Sequence, residues 1–413
     1  MLLFFLALIA AGLSAQDSPK EAKFAAGGGE LRYLYAAAAA GGEAPLLLVL
    51  PGAMDEDGVR KLFAQWQPLA ASRGWNFVMP FIAGVSDQAV KALELTLIDA
   101  KKRLPGIDET RVYLAGPGPG AADVFYALSR EPQLWAAALA IQGTPAPAIN
   151  SYRLFGANTQ QAPLLWIAPA TELDLYRQKL TAAEYNFEAR SEARTDEVFD
   201  WLAKHQRARF PATVDCETGN PNFARCYWIE MTKFDPKKRN DVLKSTRVMP
   251  GSGASLAFGP FGYDPAAEGP GAVVGWLPPN YQGALKLNDR IVSIAGKEIR
   301  NGRDYSEQMD EMKEEKSVAV GVQRGKERLR VETNIVLPKR EELITARVQG
   351  RYLPDQKELF LVSRAVTQMR VQIPEEWTPV SVSWNGLDVV KADAPGCWIL
   401  SIEKDPPSAA PCP

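Results

Sequence analysis

The sequence is poor in the residues that metal sites and catalytic triads require. Its 413 residues include one histidine, His205, and four cysteines. No two cysteines have the C-x-x-C spacing that is typical of zinc sites, and one histidine adds little to a ligand set. We therefore expect no metal and no other cofactor.

The chain also lacks an excess of basic residues. It has 47 lysines and arginines against 49 acidic residues, which gives a formal net charge of −2. A protein that binds nucleic acid needs a clear positive surplus to neutralise phosphates. The composition therefore argues against a nucleic-acid partner.

No apolar run is long enough to cross a bilayer, which takes ~20 residues. The first residues, MLLFFLALIAAGLSA, form a shorter apolar run that ends in small residues. Such a run is typical of a secretory signal peptide, which we predict over residues 1–15. The mature protein is then secreted or periplasmic and has no membrane span. The sequence does not predict its oligomeric state.

Export makes the four cysteines informative, because disulfides persist in oxidising compartments. Four cysteines allow three pairings. Closeness in sequence favours Cys216 with Cys226 and Cys397 with Cys412. The first pair would lie in a β-rich linker over residues 211–252.

Short apolar runs alternate with amphipathic ones between residues 25 and 210. Strands that alternate with helices in this way predict an α/β domain, with a parallel sheet covered on both faces. The predicted strands are 44–52, 76–82, 111–116, 135–143 and 162–170, and the predicted helices are 59–74, 88–104, 121–130 and 195–210.

The glycine loop GPGPGA, residues 116–121, follows a predicted strand and precedes a helix. Its spacing matches the dinucleotide-binding pattern, which points backbone N–H groups at a pyrophosphate. Pro117 and Pro119 have no N–H group, however. The next predicted strand also ends at Gln142 rather than at an acidic residue. The loop is therefore a poor dinucleotide site, and a turn for close packing of strand and helix is the favoured interpretation.

Residues 30–210 resemble the α/β-hydrolase superfamily, in particular secreted esterases of the polyhydroxybutyrate-depolymerase and feruloyl-esterase type. The resemblance lies in the order of APLLLVLPGA, LAASRGWNFVMP, IDETRVYLAGPGPGA, APLLWIAPATELD and VFDWLAKHQR. It implies a nucleophile elbow, G-x-S-x-G, at residues 116–120.

The residues that the resemblance implies for catalysis are replaced. The nucleophile position is Gly118, the following oxyanion donor is Pro119, and the His-Gly pair of the family is Pro51-Gly52. An acid remains in Glu172 or Asp174. The place of the family histidine, residues 188–197, reads EARSEARTDE, and His205 is predicted within the last helix. We therefore predict a vestigial pocket without catalysis. The alternative is a serine-type carboxylesterase or peptidase with a relocated nucleophile, such as Ser129 or Ser191.

Residues 253–338 resemble a PDZ domain of the type found in bacterial periplasmic proteases. The resemblance lies in GAVV, a proline-rich turn and GALKLNDRIVSIAGKEI, in which Asn288 replaces a family glycine. PDZ domains add a peptide to a sheet edge and hold its terminal carboxylate with backbone N–H groups.

The resemblance implies a peptide groove between the predicted strand SLAFGPFGY and the helix near DYSEQMDEM. The carboxylate loop is predicted at Leu256-Ala257-Phe258, with Phe261-Gly262-Tyr263 as a second candidate. Tyr305, Met309 and Met312 would line the helix side, although all of these residues could be core instead. The expected partner is the C-terminus of a peptide or protein.

A third region, residues 344–413, reads as a small β domain whose strands carry Trp377, Trp384 and Trp398. Buried core is the favoured role for each tryptophan. Taken together, the sequence predicts an exported, non-catalytic hydrolase-fold protein that binds peptides or proteins through a PDZ domain.

Overall fold

A computed structural model describes residues 19–27, 29–39, 42–104, 106–238, 242–264, 267–338, 344–403 and 406–413 of the protein. The signal peptide predicted over residues 1–15 lies outside these residues. The chain forms two compact units: a first unit, Met1–Val248 with Ile344–Pro413, and an inserted unit, Met249–Leu343. Within the described ranges, no helix is long and apolar enough to cross a membrane.

The N-terminal domain of the first unit is built on an eight-stranded sheet in the order β1-β2-β4-β3-β5-β6-β7-β8. The strands from β3 to β8 run parallel, and β1 and β2 form an antiparallel hairpin at one edge. Their bounds are β1 Lys20–Ala26, β2 Gly29–Ala36, β3 Ala44–Val49, β4 Asn76–Pro80, β5 Ile107–Pro117, β6 Ala137–Ile141, β7 Leu164–Ile167 and β8 Phe187–Arg190.

Six helices cover this sheet, and the apolar side chains of both faces are buried. Helices α2, α3 and α5 contribute to the core on one face, and α1 and α6 to the core on the other. Burial on both faces explains why the central strands are apolar along their whole length. The helices are α1 Glu56–Ser72, α2 Asp87–Arg103, α3 Gly120–Arg130, α4 Ala146–Asn150, α5 Ala170–Ala182 and α6 Thr195–Ala203.

The chain then forms three strands, β9 Thr213–Thr218, β10 Arg225–Cys226 and β11 Ile229–Phe234, before it enters the inserted unit. The inserted unit has one sheet, in the order β12-β18-β17-β15-β14-β13, with β16 paired to β15. Asn288 has φ +67°, the left-handed geometry that asparagine tolerates in place of glycine. The elements are β12 Ser255–Leu256, β13 Gly262–Asp264, β14 Ala272–Trp276, β15 Arg290–Ile294, β16 Lys297–Glu298, α7 Gly302–Glu311, β17 Ser317–Arg324 and β18 Glu327–Val336.

After the inserted unit the chain returns to the first unit and completes a β-sandwich. Its strands are β19 Ala346–Leu353, β20 Glu358–Arg364, β21 Val366–Ile373, β22 Val380–Trp384, β23 Leu387–Ala392, β24 Gly396–Ser401 and β25 Ser408–Pro411. One sheet has the order β10-β11-β21-β24-β25 and the other β23-β22-β20-β19-β9, and both contribute to one core.

The sandwich differs from the predicted division into a linker over 211–252 and a separate domain over 344–413. β9 pairs with β19, and β11 pairs with β21. The two segments share both sheets and one core, so they are parts of one domain. Trp377 and Trp384 are buried in its core, although Trp377 lies in a 3₁₀ turn rather than a strand.

Disulfides join both cysteine pairs that sequence proximity favours. Cys216 on β9 is bonded to Cys226 on β10. Cys397 on β24 is bonded to Cys412, which follows β25. Each disulfide therefore closes a short loop within the sandwich.

A buried carboxylate, Glu217 on β9, holds the two chain segments that flank the inserted unit. Ser245 Oγ donates a hydrogen bond to Glu217 Oε1 (2.5 Å), and the backbone N–H and hydroxyl of Thr246 donate to Oε2 (2.7 Å each). Thr345 Oγ1, on the returning chain, also donates to Glu217 Oε1. We call Glu217, Ser245, Thr246 and Thr345 the crossing clamp.

Candidate functional site

The turn between β5 and α3 has the shape of a nucleophile elbow. Gly118 has φ +54°, and its N–H donates to Ile141 O at 2.7 Å. A Cβ atom built at Gly118 would have no other atom within 4 Å. The elbow therefore has space for a side chain, but the glycine at this position supplies no nucleophile.

The other glycines of the elbow are required by close backbone packing. A Cβ atom at Gly120 would lie 2.0 Å from Leu50 O, and one at Gly116 would lie 2.2 Å from Gly120 O. One at Gly143 would lie 2.1 Å from Gly118 O. Contacts this short would force the backbone to move, so close packing explains Gly116, Gly120 and Gly143 without a ligand.

The oxyanion side of the elbow is also incomplete. Pro119, the first residue after the nucleophile position, has no N–H to donate, and neither has Pro51. Gly52 has φ +70°, and a Cβ atom there would lie 2.5 Å from Gly120 N, so the Pro51-Gly52 turn packs directly against the elbow. Loss of one oxyanion donor typically costs ~10²–10³ in kcat.

Glu172 lies at the same edge of the sheet as the elbow. Pro117, Ile141, Ile167 and Arg190 form one row across β5, β6, β7 and β8. Glu172 follows this row in the first turn of α5, so it lies where an acid of the predicted hydrolase type would be expected. Without a histidine to orient, it has no catalytic role there.

The two serines named as relocated nucleophiles are poorly placed. Ser129 is fully buried, donates to Phe155 O (2.9 Å) and accepts from Phe155 N (2.7 Å), so its hydroxyl is part of the fold. Ser191 is exposed directly after β8. At ~4.8 Å per strand, β8 is about 14 Å from β5, which places Ser191 away from the elbow.

His205 is at the wrong end of the sheet to serve as a base. The prediction that it lies within the last helix is wrong, because α6 ends at Ala203. Its ring packs against that of Trp201 in a tilted arrangement, with 4.3 Å between the ring centroids, and its carbonyl accepts a hydrogen bond from Tyr113 OH (3.0 Å). Arg207, two residues later, donates to Thr110 O near the start of β5. The elbow lies beyond the other end of that strand.

Sequence reasoning missed one unusual group near the elbow, Asp123. It is the acidic residue on the otherwise apolar first turns of α3, and that contrast was the available signal. Burial raises the pKa of Asp123 to about 6, although the N–H of Gly84 donates to its carboxylate (3.2 Å). The adjacent cavity measures ≈ 10 Å³, which has room for no more than one water molecule. It cannot hold an ester substrate.

The inserted unit contains a larger groove, ≈ 610 Å³ in volume, beside α7 and the short strands β12 and β13. Tyr305 lies at its base, with ring centroids 4.9 Å from Tyr263 and 6.3 Å from Phe261. We call it the α7 groove; its lining residues include Leu256, Ala257, Pro260, Phe261, Tyr263, Tyr305, Ser306 and Met309.

The segment SLAFGPFGY, predicted as one strand, forms two strands at opposite edges of the sheet. β12 pairs with β18, and β13 pairs with β14. Gly259 between them has φ +83°, which turns the chain away from β12. Both β12 and β13 are therefore edge strands beside the α7 groove. β12 ends at Leu256, in the first predicted tripeptide, and β13 begins within Phe261-Gly262-Tyr263, the second.

The structure brings most of the predicted groove residues together. Leu256, Ala257, Tyr305 and Met309 line the α7 groove, and Ala257 is exposed at its rim. Phe258 is buried in the core of the inserted unit, with 6% of its surface exposed. Met312 lies just beyond the end of α7 and packs against the same core.

Several solved structures are similar to the N-terminal part of the chain. A thermostable esterase has 16% identity and a TM-score of 0.35, over 46% of this chain and 63% of its own. Est1E from Butyrivibrio proteoclasticus has 13% identity and a TM-score of 0.35, over 45% of this chain and 96% of its own. An acylaminoacyl peptidase has 14% identity and a TM-score of 0.33, over 46% of this chain and 42% of its own.

No protein-family model and no curated protein sequence matches the chain. This chain spans less than two thirds of the thermostable esterase and of the acylaminoacyl peptidase. TM-scores this low support no conclusion about activity. What the structure does show is a mixed α/β chain, with a mainly parallel sheet in its N-terminal part and additional β-rich regions.

Proposed function

We propose that the protein is an exported, non-catalytic hydrolase-fold protein whose inserted unit is a PDZ domain. This unit binds the C-terminus of a peptide or protein. The α7 groove carries this proposal. The N-terminal domain then acts as a scaffold or ligand sensor. The two disulfides support a secreted or periplasmic location, because they persist in oxidising compartments.

The edge of β13 supports binding by strand addition. β13 ends the sheet order, so within the described residues no strand pairs with its outer side. Unpaired N–H and C=O groups at a sheet edge can bond to the backbone of an added peptide. The adjacent rings of Phe261, Tyr263 and Tyr305 supply an apolar wall for its side chains.

We expect a library of C-terminal peptides to yield ligands for the full-length protein. Ser306→Phe should weaken their binding at least tenfold, because it puts a ring into the groove from a half-buried position on α7. Glu307→Phe adds the same ring at the adjacent exposed position and is the matched control. Fluorescence anisotropy with labelled peptides measures the change.

Two results would contradict the binding proposal: a library with no ligands, or equal affinity of both phenylalanine variants. Phe258→Glu is a poor test, because a buried charge in the core would destabilise the inserted unit. The variants Ala257→Glu and Ala257→Gln, which differ in charge but not in size, test whether a terminal carboxylate binds near this residue. Only the glutamate should repel a terminal carboxylate held at the groove rim.

The second candidate function is a carboxylesterase or peptidase, which the open space at Gly118 and the retained acid position favour. We nevertheless expect no turnover of short-chain nitrophenyl esters above the buffer rate, for wild type or for Gly118→Ser. A new serine would still lack a base and the N–H of residue 119. Turnover that Ser191→Ala abolishes would establish the enzyme and refute the non-catalytic proposal.

A further inference from the structure

The first unit contains an open cleft of ≈ 850 Å³ on the outward face of the β10-β11-β21-β24-β25 sheet. Arg225 on β10 is opposite Glu230 on β11, and Glu230 is opposite Arg370 on β21. Gln372 follows two residues later on β21 and therefore points to the same face. The segment that contains Arg207, Arg209 and Phe210 forms another wall of the cleft.

Positive charge in this cleft exceeds the negative charge available to neutralise it. Four arginines and two glutamates line it. Both glutamates have partners already: Glu109 pairs with Lys101 (3.0 Å) and Glu230 with Arg370 (3.2 Å).

The three remaining arginines, Arg207, Arg209 and Arg225, make no ion pair within the described part of the chain. The guanidinium of Arg207 donates to a backbone carbonyl, Glu109 O (3.1 Å), and burial lowers the pKa of Arg207. Arg209 lies over the Phe210 ring, 5.5 Å from its centroid. A partly desolvated guanidinium that makes no ion pair favours an anionic ligand, and its fork matches carboxylate or phosphate oxygens.

The position of the cleft on a sheet face narrows the class of ligand. β11, β21 and β24 each have a neighbour on both sides, so their backbone groups are already paired. An extended peptide would find no backbone partners there, in contrast to a free sheet edge. A sugar chain needs no backbone partners, because guanidinium and amide side chains can form hydrogen bonds with its hydroxyl and carboxylate groups. Phe210 and Tyr227, both half-buried, also line the cleft.

We propose that this cleft, here called the arginine cleft, binds an acidic oligosaccharide that carries carboxylate groups. Arg209 and Arg225 contact the carboxylates, and Gln372 bonds to hydroxyl groups. This site is separate from the α7 groove, and neither proposal depends on the other.

The test measures binding of tetragalacturonate to the full-length protein by titration calorimetry. We expect measurable affinity that falls as salt is raised, because charged groups make the contacts. The double variant Arg209→Gln/Arg225→Gln should bind at least about tenfold more weakly, since two charge-assisted contacts are lost. Arg303→Gln/Arg328→Gln removes the same charge from the inserted unit and should bind as the wild type does.

Three comparison ligands distinguish binding of a carboxylated sugar chain from binding of other anions or of uncharged sugar. The methyl ester of tetragalacturonate keeps the sugar rings and should not bind. Tetraglutamate and tripolyphosphate keep the charge without the rings and should bind more weakly. The proposal is overturned if tetragalacturonate does not bind, if either comparison anion binds equally well, or if both double variants lose the same affinity. Circular dichroism confirms that the variants are folded.

Discussion

Gly120→Ala is expected to destabilise the N-terminal domain strongly. The new Cβ atom would lie 2.0 Å from the carbonyl oxygen of Leu50, and the closest neighbours are backbone atoms that no rotamer change can move. β3 and α3 would have to separate, at a cost of about 3 kcal/mol or more, the upper end for overpacked sites. Urea unfolding, followed by the fluorescence of the buried Trp135 and Trp166, should show an earlier first transition.

Gly118→Ala is the matched control two residues earlier in the same elbow. Its Cβ atom would meet nothing within 4 Å, although φ is +54°. Only the left-handed backbone geometry is then unfavourable, at about 1–2 kcal/mol for a residue with a Cβ atom. Equal destabilisation by the two alanines would show that conformation, and not close packing, explains the glycines of this loop.

Glu217→Ala is expected to have the second large effect, on the β-sandwich. The substitution removes the acceptor for four donors from Ser245, Thr246 and Thr345, one of which is a backbone N–H. Each buried donor left unsatisfied costs about 1–3 kcal/mol, although rotating hydroxyls can recover part of this. We expect a total loss of about 3–5 kcal/mol, because several buried donors lose their acceptor at once.

Denaturant unfolding measures this loss, and limited proteolysis should reveal new cleavage between residues 244 and 248. Glu230→Ala, on β11 in the other sheet of the sandwich, is the control, because its ion pair with Arg370 is exposed and is worth at most ~1 kcal/mol. A Glu217→Ala protein as stable as Glu230→Ala would contradict the role of the crossing clamp.

Most of the α/β core could be predicted from the sequence, because buried parallel strands are apolar along their full length. β3, β4, β5, β6 and β7 were predicted for that reason. The β1–β2 hairpin and β8 were not, since these strands lie at or next to the edges of the sheet and mix charged with apolar residues: KEAKFAA, GELRYLYA and FEAR. Helix α5 was missed for a similar reason, because only Leu173 and Leu180 are buried in it.

The sandwich could not be predicted, because its pairings join residues that are far apart in the chain. Thr345 and Glu217, for example, are 128 positions apart. Local periodicity predicts strands but does not predict which distant strand pairs with which. Similarly, the free edge of β13 and the unpaired arginines of the arginine cleft depend on tertiary placement. The missing nucleophile and oxyanion donor, by contrast, follow directly from Gly118 and Pro119.

The interruption of the sandwich between β11 and β19 has a consequence for how the protein folds. Strands β9 and β11 leave the ribosome before their partners β19 and β21 exist, and their apolar faces stay uncovered while about a hundred further residues are synthesised. If the intervening segment folds first, it draws the separated ends together and lowers the entropic cost of closing the long loop. Early folding of that segment would then protect the nascent chain from aggregation.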